Sequence, residues 1–295
     1  MAPGSRTRVA CPLCGAADLA RTLELSDRWL LTCNRCGVRC TDRYGDEPSL
    51  RSYYGNVLAH HGKAEALDGQ EGSLEAIARE QADSMERLLG PRRGGTFLEI
   101  GCARGQLLAE METRGWEVSG MDLSDTAIEQ ARTRTKAVLH AGSAADAPFA
   151  EASFDRIGMF DVLAHLPEPL EFLKVAASWL KPGGHLVLST VNEAWSLAQP
   201  LIRACRLLPG PLRGIRDEMY EGQHYCYFSS DNVSRLLSEV GLQFVEVRPL
   251  EPLSTRFFVH QYGLRRRMLL LSMVQLDRWL GSSRKMLVVA QKAGG

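Results

Sequence analysis

Three features that the sequence lacks limit which classes of protein it can belong to. None of its apolar runs reaches about 18 residues, the length that a membrane-spanning helix needs. Its formal net charge is zero, with 35 basic and 35 acidic side chains, so nucleic acid is not an expected partner. Residues 1–9 contain no apolar signal core. We therefore expect a cytoplasmic protein without a membrane partner.

Disulfides are not expected either, because a cytoplasmic location keeps the eight cysteines reduced. Two C-x2-C-G knuckles are present, and 18 residues separate them. The glycine of each knuckle lets the backbone turn its amides towards the thiolates. This spacing predicts a structural zinc site without an open position for chemistry, inside a zinc ribbon that spans residues 1–45, with Cys40 as a spare thiol. The segment between the knuckles, residues 19–32, is predicted to form a small hairpin. The predicted ligands are Cys11, Cys14, Cys33 and Cys36.

One βαβ unit organises the rest of the sequence. Residues 96–100 are mostly apolar and predict a buried strand, which a glycine turn joins to a helix over residues 106–114. A second predicted strand, residues 117–121, ends at Asp122, and Ser124 is predicted to cap the helix that follows. A carboxylate about 20 residues past such a turn is placed to accept hydrogen bonds from both hydroxyls of a ribose. The sequence therefore predicts a ligand that contains a nucleoside.

The glycine turn indicates which kind of nucleoside ligand fits. A dinucleotide site needs the pattern G-x-G-x-x-G, which lets a pyrophosphate approach the backbone at a helix N-terminus. Only Gly101 and Gly105 fall in this register, and Cys102 stands where the middle glycine should be. A pyrophosphate therefore fits poorly, whereas a nucleoside without phosphates fits better.

With Glu99 before the turn and Asp122 after it, this segment resembles the first motif of class I S-adenosylmethionine-dependent methyltransferases. The resemblance covers residues 11–250, and it is to bacterial members that carry an N-terminal C-x-x-C-G ribbon. It implies an α/β fold: a seven-stranded, mostly parallel, Rossmann-like methyltransferase sheet with the N-terminal zinc ribbon and C-terminal lid insertions. In that fold the final strand, here residues 285–291, lies antiparallel, inserted beside the strand over residues 244–247. The implied cofactors are S-adenosyl-L-methionine and a structural Zn²⁺.

The resemblance also divides the chain after the ribbon. Residues 46–92 are expected to be a lid segment with N-terminal helices. Residues 93–295 are expected to form the methyltransferase domain, with insertions at about 193–222 and 251–281 that roof the substrate pocket. The second insertion includes a predicted helix over residues 264–280, which packs on the roof or on a second subunit. A homodimer is therefore one expected assembly.

Residues that would hold the cofactor follow from the same resemblance. In the family, the segment after the third strand closes over the adenine, often with an aspartate after its glycine. Ser143 occupies that position here, so the adenine amine would meet Ser143, a backbone carbonyl or Asp146. Tyr53, Tyr54, His60 and His61 belong either to an active-site lid or to an ordinary surface loop. The cofactor-binding candidates are Glu99, Gly101, Cys102, Gly105, Asp122, Leu123, Ser143, Ala144, Phe160 and Tyr54.

Two histidines are the candidates for catalysis. His224 begins the pattern H-x-x-x-F-S, which resembles a family block whose histidine lies near the transferred methyl. An imidazole has an ordinary pKa of about 6.5 and can take a hydroxyl proton as the oxygen attacks; a structural histidine is the alternative. His165 lies in a segment that usually reads D-V-x-E-H-L-x-D-P, where Ala164 replaces the usual glutamate. It is a candidate either as a structural residue or as a base.

The activity that the resemblance implies is in-line transfer of a sulfonium methyl. We expect a small-molecule acceptor, methylated on a hydroxyl or carboxylate oxygen of a natural product or other metabolite, while nitrogen and carbon remain open. One alternative is a ribosomal RNA base methyltransferase with a zinc module, against which the zero net charge counts. The other is a non-catalytic scaffold protein that binds a nucleoside.

Overall fold

The structure, a computed structural model, describes most of the chain. The described residues are 5–62, 71–194, 220, 224–250 and 282–294, with single residues between 268 and 280. The predicted insertions at about 193–222 and 251–281 therefore lie mostly outside the described residues, as does the helix predicted over 264–280. Within the described part of the chain, no helix is long and apolar enough to cross a bilayer.

The chain begins with a small β module where the ribbon is predicted. Its strands are β1 (Ser5–Thr7), β2 (Leu19–Glu24), β3 (Trp29–Cys33), β4 (Arg39–Thr41) and β5 (Arg43–Gly45). Strands β2, β3 and β4 form an antiparallel meander, and β1 pairs with β5. The hairpin predicted between the two knuckles is therefore confirmed.

Two helices connect this module to the central sheet. They are α1 (Glu47–Gly62) and α2 (Glu71–Leu89). The apolar face of α2 is buried through Ala78, Ala82 and Met85, as its spacing predicts. The guanidinium of Arg114 also holds α2, because it lies 2.7 Å from a carboxylate oxygen of Asp83.

A seven-stranded sheet forms the centre of the protein. Its strands are β6 (Thr96–Ile100), β7 (Glu117–Asp122), β8 (Val138–Ala141), β9 (Phe154–Phe160), β10 (Leu180–Val191), β12 (Leu242–Leu250) and β13 (Lys285–Lys292). The order across the sheet is β12-β13-β10-β9-β6-β7-β8. Strand β13 is antiparallel to both of its neighbours, whereas β10, β9, β6, β7 and β8 run parallel. The predicted sheet, including the inserted final strand, is confirmed.

Helices cover both faces of this sheet. They are α3 (Gln106–Thr113), α4 (Asp125–Arg132), α5 (Pro169–Trp179) and α6 (Ser230–Glu239). Successive residues of a strand point to opposite faces, so Phe97 joins one buried cluster and Leu98 joins the other. The cluster of Leu98 also contains Leu13 and Val38 of the β module. The module thus shares a core with the sheet and is not a separate body.

Serine side chains set where two of these helices begin. The hydroxyl of Ser124 accepts a hydrogen bond from the amide of Ala127, which confirms the predicted cap of α4. Ser229 forms a capping box with Asn232 at the start of α6. The carboxyl ends of the parallel strands and the starts of the helices that follow them therefore meet at one edge of the sheet, where ligands of such folds bind.

Candidate functional site

The glycine turn between β6 and α3 has a backbone that only small residues fit. Gly101 and Gly105 have φ angles of 74° and 78°, in the left-handed region. A Cβ on Gly101 would lie 2.4 Å from Cγ2 of Val162. The amides of Gly101 and Cys102 both donate to the carbonyl oxygen of Met121, at 2.8 and 3.0 Å. The turn is therefore fixed against the end of β7.

Asp122 connects this turn to the start of α4. Its Oδ2 accepts a hydrogen bond from the amide of Ala103 at 3.0 Å, and its Oδ1 accepts one from the amide of Ser124 at 2.9 Å. Burial raises the pKa of the Asp122 carboxyl above its ordinary value, although the two amides favour the ionised form. A carboxylate has about four acceptor positions, so Asp122 can still accept a hydrogen bond from a ligand hydroxyl.

Glu99 is the buried acid of the site. Its side chain faces a cavity of about 320 Å³, which α2 closes on the other side. Within the described part of the chain, its Oε2 is buried and has no hydrogen-bond partner. Burial, together with the charge of Asp122, raises the pKa of Glu99 to about 8. A buried acceptor without a partner fits a ligand that brings a positively charged donor.

The other predicted cofactor residues lie around the same cavity or beside it. Phe160 ends β9 and lines the cavity. Cys102 also lines the cavity, but its sulfur is packed towards Gly120 of β7. A side chain larger than that of glycine therefore fits at position 102 without filling the turn. Leu123 is half-buried in the turn after β7, and Ala144 is buried in the loop after β8.

The loop after β8 joins two of the residues proposed for the adenine. The hydroxyl of Ser143 donates to a carboxylate oxygen of Asp146 at 2.9 Å, and the amide of Asp146 donates back to the Ser143 carbonyl. The amide of Gly142 donates to the carbonyl of Asp122 at 2.9 Å. The loop is thereby held beside the end of β7.

Helix α1 lies where the lid is expected. The ring of Tyr54 lies 6.1 Å from that of His165, and the ring of Tyr53 lies 5.3 Å from that of Tyr54. Burial, with the neighbouring charges of Tyr225, Tyr53 and Asp122, raises the pKa of Tyr54 above its ordinary value. The alternative of an ordinary loop is wrong, because both tyrosines belong to a helix. The side chains of the two adjacent histidines, at positions 60 and 61, lie outside the described residues.

The two candidate histidines lie side by side. Their rings are 4.6 Å apart between centroids. His165 ends the 3-10 turn Leu163–His165 after β9, and His224 is two residues before β11 (Cys226–Tyr227). The amide of Tyr225 donates to the carbonyl of Ala164 at 2.8 Å, which ties the two segments together.

The environment of His224 keeps its imidazole neutral. Burial lowers the pKa of His224 to about 3, and the charges of His165, Lys285 and Arg284 act in the same direction against that of Asp161. A neutral imidazole has one unprotonated ring nitrogen that can accept a proton or a hydrogen bond, while its other nitrogen carries an N–H donor.

Asp161 is a site residue that sequence reasoning did not select. It follows β9 with a φ angle of 57°, and its carboxylate lies 2.5 Å from the ammonium of Lys285. The hydroxyl of Ser189 also donates to it, at 3.2 Å. Burial alone would raise the pKa of Asp161, but Lys285 holds it below its ordinary value. Its position at the carboxyl end of a parallel strand was the signal that could have selected it.

The four knuckle cysteines converge on one point. Their sulfur atoms all lie within 4.8 Å of one another, with 3.5 Å between those of Cys11 and Cys36. The two knuckles are alike, because Gly15 and Gly37 both have left-handed φ angles, of 69° and 75°. Four sulfurs about 2.3 Å from one zinc ion would be about 3.8 Å apart, so the donor set and spacing fit Zn²⁺. Cys40 lies outside this group, and burial raises the pKa of its thiol to about 12.

A family model described as a methyltransferase domain matches residues 74–247, which contain the glycine turn, Asp122, Asp161 and both histidines. The chain belongs to this methyltransferase family. The expectation of a class I S-adenosylmethionine-dependent methyltransferase is thereby confirmed at the level of the family and the fold.

Curated relatives of this methyltransferase include two kinds of O-methyltransferase. The chain is 32% identical over 133 residues to the ubiquinone biosynthesis O-methyltransferase of Alkalilimnicola ehrlichii, covering 42% of this chain and 53% of that one. It is 30% identical over 137 residues to the 27-O-demethylrifamycin SV methyltransferase of Amycolatopsis mediterranei, covering 44% and 49%. The chain thus spans about half the length of these curated relatives.

One solved structure supports the fold over nearly the whole chain. It is the 1,6-didemethyltoxoflavin-N1-methyltransferase of Burkholderia thailandensis, solved with S-adenosylhomocysteine bound to it. The match has a TM-score of 0.51 with 14% sequence identity, and it covers 92% of this methyltransferase and 99% of that chain. At this identity the likeness shows the fold alone.

Proposed function

We propose that this methyltransferase transfers the methyl group of S-adenosylmethionine to an oxygen of a small-molecule acceptor. One observation carries the proposal: the glycine turn and Glu99, whose buried Oε2 has no partner among the described residues, line one cavity, and the carboxylate of Asp122 is hydrogen-bonded to the amide of Ala103 in that turn. The cofactor, when bound, supplies a methyl group activated by a positively charged sulfur.

The residues of the site have separate parts in holding that cofactor. We assign the ribose hydroxyls to Asp122, whose carboxylate is held beside the turn by the amides of Ala103 and Ser124. The hydrogen-bonded pair of Ser143 and Asp146 is assigned to the adenine amine. Glu99, which has a buried oxygen without a partner among the described residues, is assigned to the ammonium of the methionine half. This assignment gives each end of the cofactor a complementary group.

We propose His224 as the group that receives the acceptor proton, with His165 beside it. The lowered pKa keeps His224 neutral and able to accept a hydrogen bond from an acceptor hydroxyl. The same low pKa makes it a weak base, so it suits an acidic hydroxyl better than an aliphatic alcohol. A carboxylate acceptor would need no base. The rest of the rate enhancement is assigned to alignment of the reacting atoms.

We also propose that the four knuckle cysteines hold a structural zinc ion. Their convergence, with one glycine turn per knuckle, supports this proposal.

A homodimer is a further proposal, which light scattering of the purified protein would test. The exposed Trp279 and Met268 belong to the segment that is predicted to pack either on the roof of the substrate pocket or on a second subunit.

Transfer of tritium-labelled methyl from S-adenosylmethionine tests the proposed activity. The acceptors would be catechols, other phenols and aromatic carboxylates, with aliphatic alcohols and ribosomal RNA as competing classes. The proposal predicts label in the acidic small molecules and a large loss in His224→Gln with phenols. Label in RNA alone would favour the alternative of an RNA base methyltransferase. Cofactor binding without transfer to any class would favour the scaffold alternative.

A further inference from the structure

The β module is joined to the catalytic domain through a strand of that domain. Strand β11 extends the module's sheet, whose order is β11-β4-β3-β2. Tyr227 of β11 is paired with Arg39 of β4, and the amide of Thr41 donates to the carbonyl of Tyr225 at 2.9 Å. Because β11 begins two residues after His224, the module holds the backbone that carries this imidazole.

The side chain of Arg39 makes a second connection to the same region. Its guanidinium forms an ion pair with Glu193, at the end of β10, and donates to the hydroxyl of Tyr220 at 3.1 Å. The Tyr220 hydroxyl also donates to Glu193, at 2.9 Å. The side chains of Arg39 and Glu193 are each only 15% exposed. The three polar groups therefore satisfy one another away from solvent.

A row of rings leads from this trio to the candidate catalytic histidines. The ring of Tyr220 lies 4.9 Å from that of Tyr227, and the ring of Tyr227 lies 5.9 Å from that of His224. The next ring is His165, 4.6 Å from His224. All three contacts are edge-to-face, with interplanar angles of 79°, 77° and 68°. Tyr220 and Tyr227 are each 2% exposed. Because both rings are enclosed by packed neighbours, the row of rings has little freedom to move.

We propose that Arg39 is a positioning residue for the acceptor side of the site. By fixing Glu193 and Tyr220, it holds the row of rings that ends at His224 and His165. The proposal rests on the proposed function, because it takes His224 as the group that faces the acceptor. The cofactor side, built from β6, β7 and α3, is formed by other elements. Loss of Arg39 is therefore expected to displace the histidines of the acceptor side and to leave cofactor binding nearly unchanged.

The test compares Arg39→Met with Arg43→Met, a matched change at an exposed position of β5. The full-length protein with its metal would be titrated with S-adenosylhomocysteine, and its histidine imidazoles would be followed by ¹⁵N NMR, with His224→Gln and His165→Gln for assignment. We expect Arg39→Met to bind S-adenosylhomocysteine within about threefold of wild type. We expect its His224 resonances to move and its imidazole to titrate closer to the ordinary pKa of about 6.5. Arg43→Met should leave both unchanged.

A second variant distinguishes a positioning role of Arg39 from general destabilisation of the protein. Removing Arg39 alone leaves a buried carboxylate without its partner, which is strongly destabilising. The double variant Arg39→Met/Glu193→Gln removes that charge and keeps the volume. If it melts like wild type and still shows the displaced His224 resonances, the positioning role is supported. Wild-type resonances in the double variant, or in Arg39→Met, would overturn it. Failure of wild type to bind S-adenosylhomocysteine would instead overturn the proposed function.

Discussion

At the scale of single residues, the carboxyl of Glu99 has a pKa far from its ordinary value. Burial, with the charge of Asp122, raises its pKa from 4.5 to about 8 in the ligand-free protein. A raised folded-state pKa means that this group contributes stability at low pH, and that the contribution is lost as the pH rises through about 8. One unit of such a shift corresponds to about 1.4 kcal/mol. The ionised carboxyl of Glu99 therefore lowers the stability of the protein at alkaline pH when no cofactor is bound.

We predict that Glu99→Gln becomes more stable relative to wild type as the pH rises from about 4.5 to about 9. The gain should reach on the order of a few kcal/mol, because glutamine has no charge to bury. Thermal melts of the ligand-free proteins across this range would measure it. Glu117→Gln, at an exposed position at the start of β7, is the control and should show no such gain. Parallel pH dependences for wild type and Glu99→Gln would contradict the buried, protonated carboxyl.

Among the structural elements, the turn between β6 and α3 is the one whose shape is most tightly fixed. Gly101 and Gly183 share a φ angle of 74°, so alanine would be strained in both places. They differ in space, because a Cβ on Gly101 would meet Val162 at 2.4 Å, whereas nothing lies within 4 Å of one on Gly183. The pair therefore separates the effect of backbone strain from that of a steric clash.

We predict that Gly183→Ala costs about 1–2 kcal/mol of unfolding free energy through strain alone. Gly101→Ala should cost about 1–3 kcal/mol more, because Val162 or the turn has to move. Affinity for S-adenosylhomocysteine should fall only in Gly101→Ala. Denaturant unfolding and calorimetry would measure the two effects. Equal destabilisation of both variants would show that Val162 does not press on the turn.

The elements that the sequence predicts well are those defined by neighbouring residues. The strand, turn and helix around Gly101, the serine cap at Ser124 and the two cysteine knuckles depend on spacing within about 20 residues, the range over which local patterns act. The pairing of β4 with β11 joins residues far apart in the chain, and the contact of Asp161 with Lys285 does the same. Such contacts depend on how the sheet brings distant segments together, so no local pattern predicts them.

At the scale of the whole molecule, the β module and the sheet share one buried cluster and one hydrogen-bonded strand. The side-chain amide of Asn232 in α6 also donates to the carbonyl of Cys36, at 2.8 Å, next to the proposed metal. A structural metal contributes folding free energy to a module this small. Loss of the proposed zinc ion should therefore also destabilise α6 and β11.

We predict one zinc ion per chain, and a large fall in melting temperature when a strong chelator removes it. Hydrogen exchange should then increase in β11 and at the start of α6, as well as in the module itself. Plasma emission spectrometry and exchange mass spectrometry would measure these effects. Arg35→Ala, an exposed change inside the second knuckle, is a control that should keep the metal. A folded, metal-free protein with unchanged exchange in β11 would contradict the coupling.

We infer that the cavity beside Asp122 binds S-adenosylmethionine. Calorimetric titration with S-adenosylhomocysteine and, separately, with NAD tests it most directly. We expect a dissociation constant of about micromolar order for S-adenosylhomocysteine and no binding of NAD. Asp122→Ala should weaken binding by on the order of a hundredfold, because two hydrogen bonds to a charged group are lost. The exposed control Asp231→Ala should bind like wild type. Binding of NAD, or unchanged affinity for S-adenosylhomocysteine in Asp122→Ala, would contradict an S-adenosylmethionine site beside Asp122.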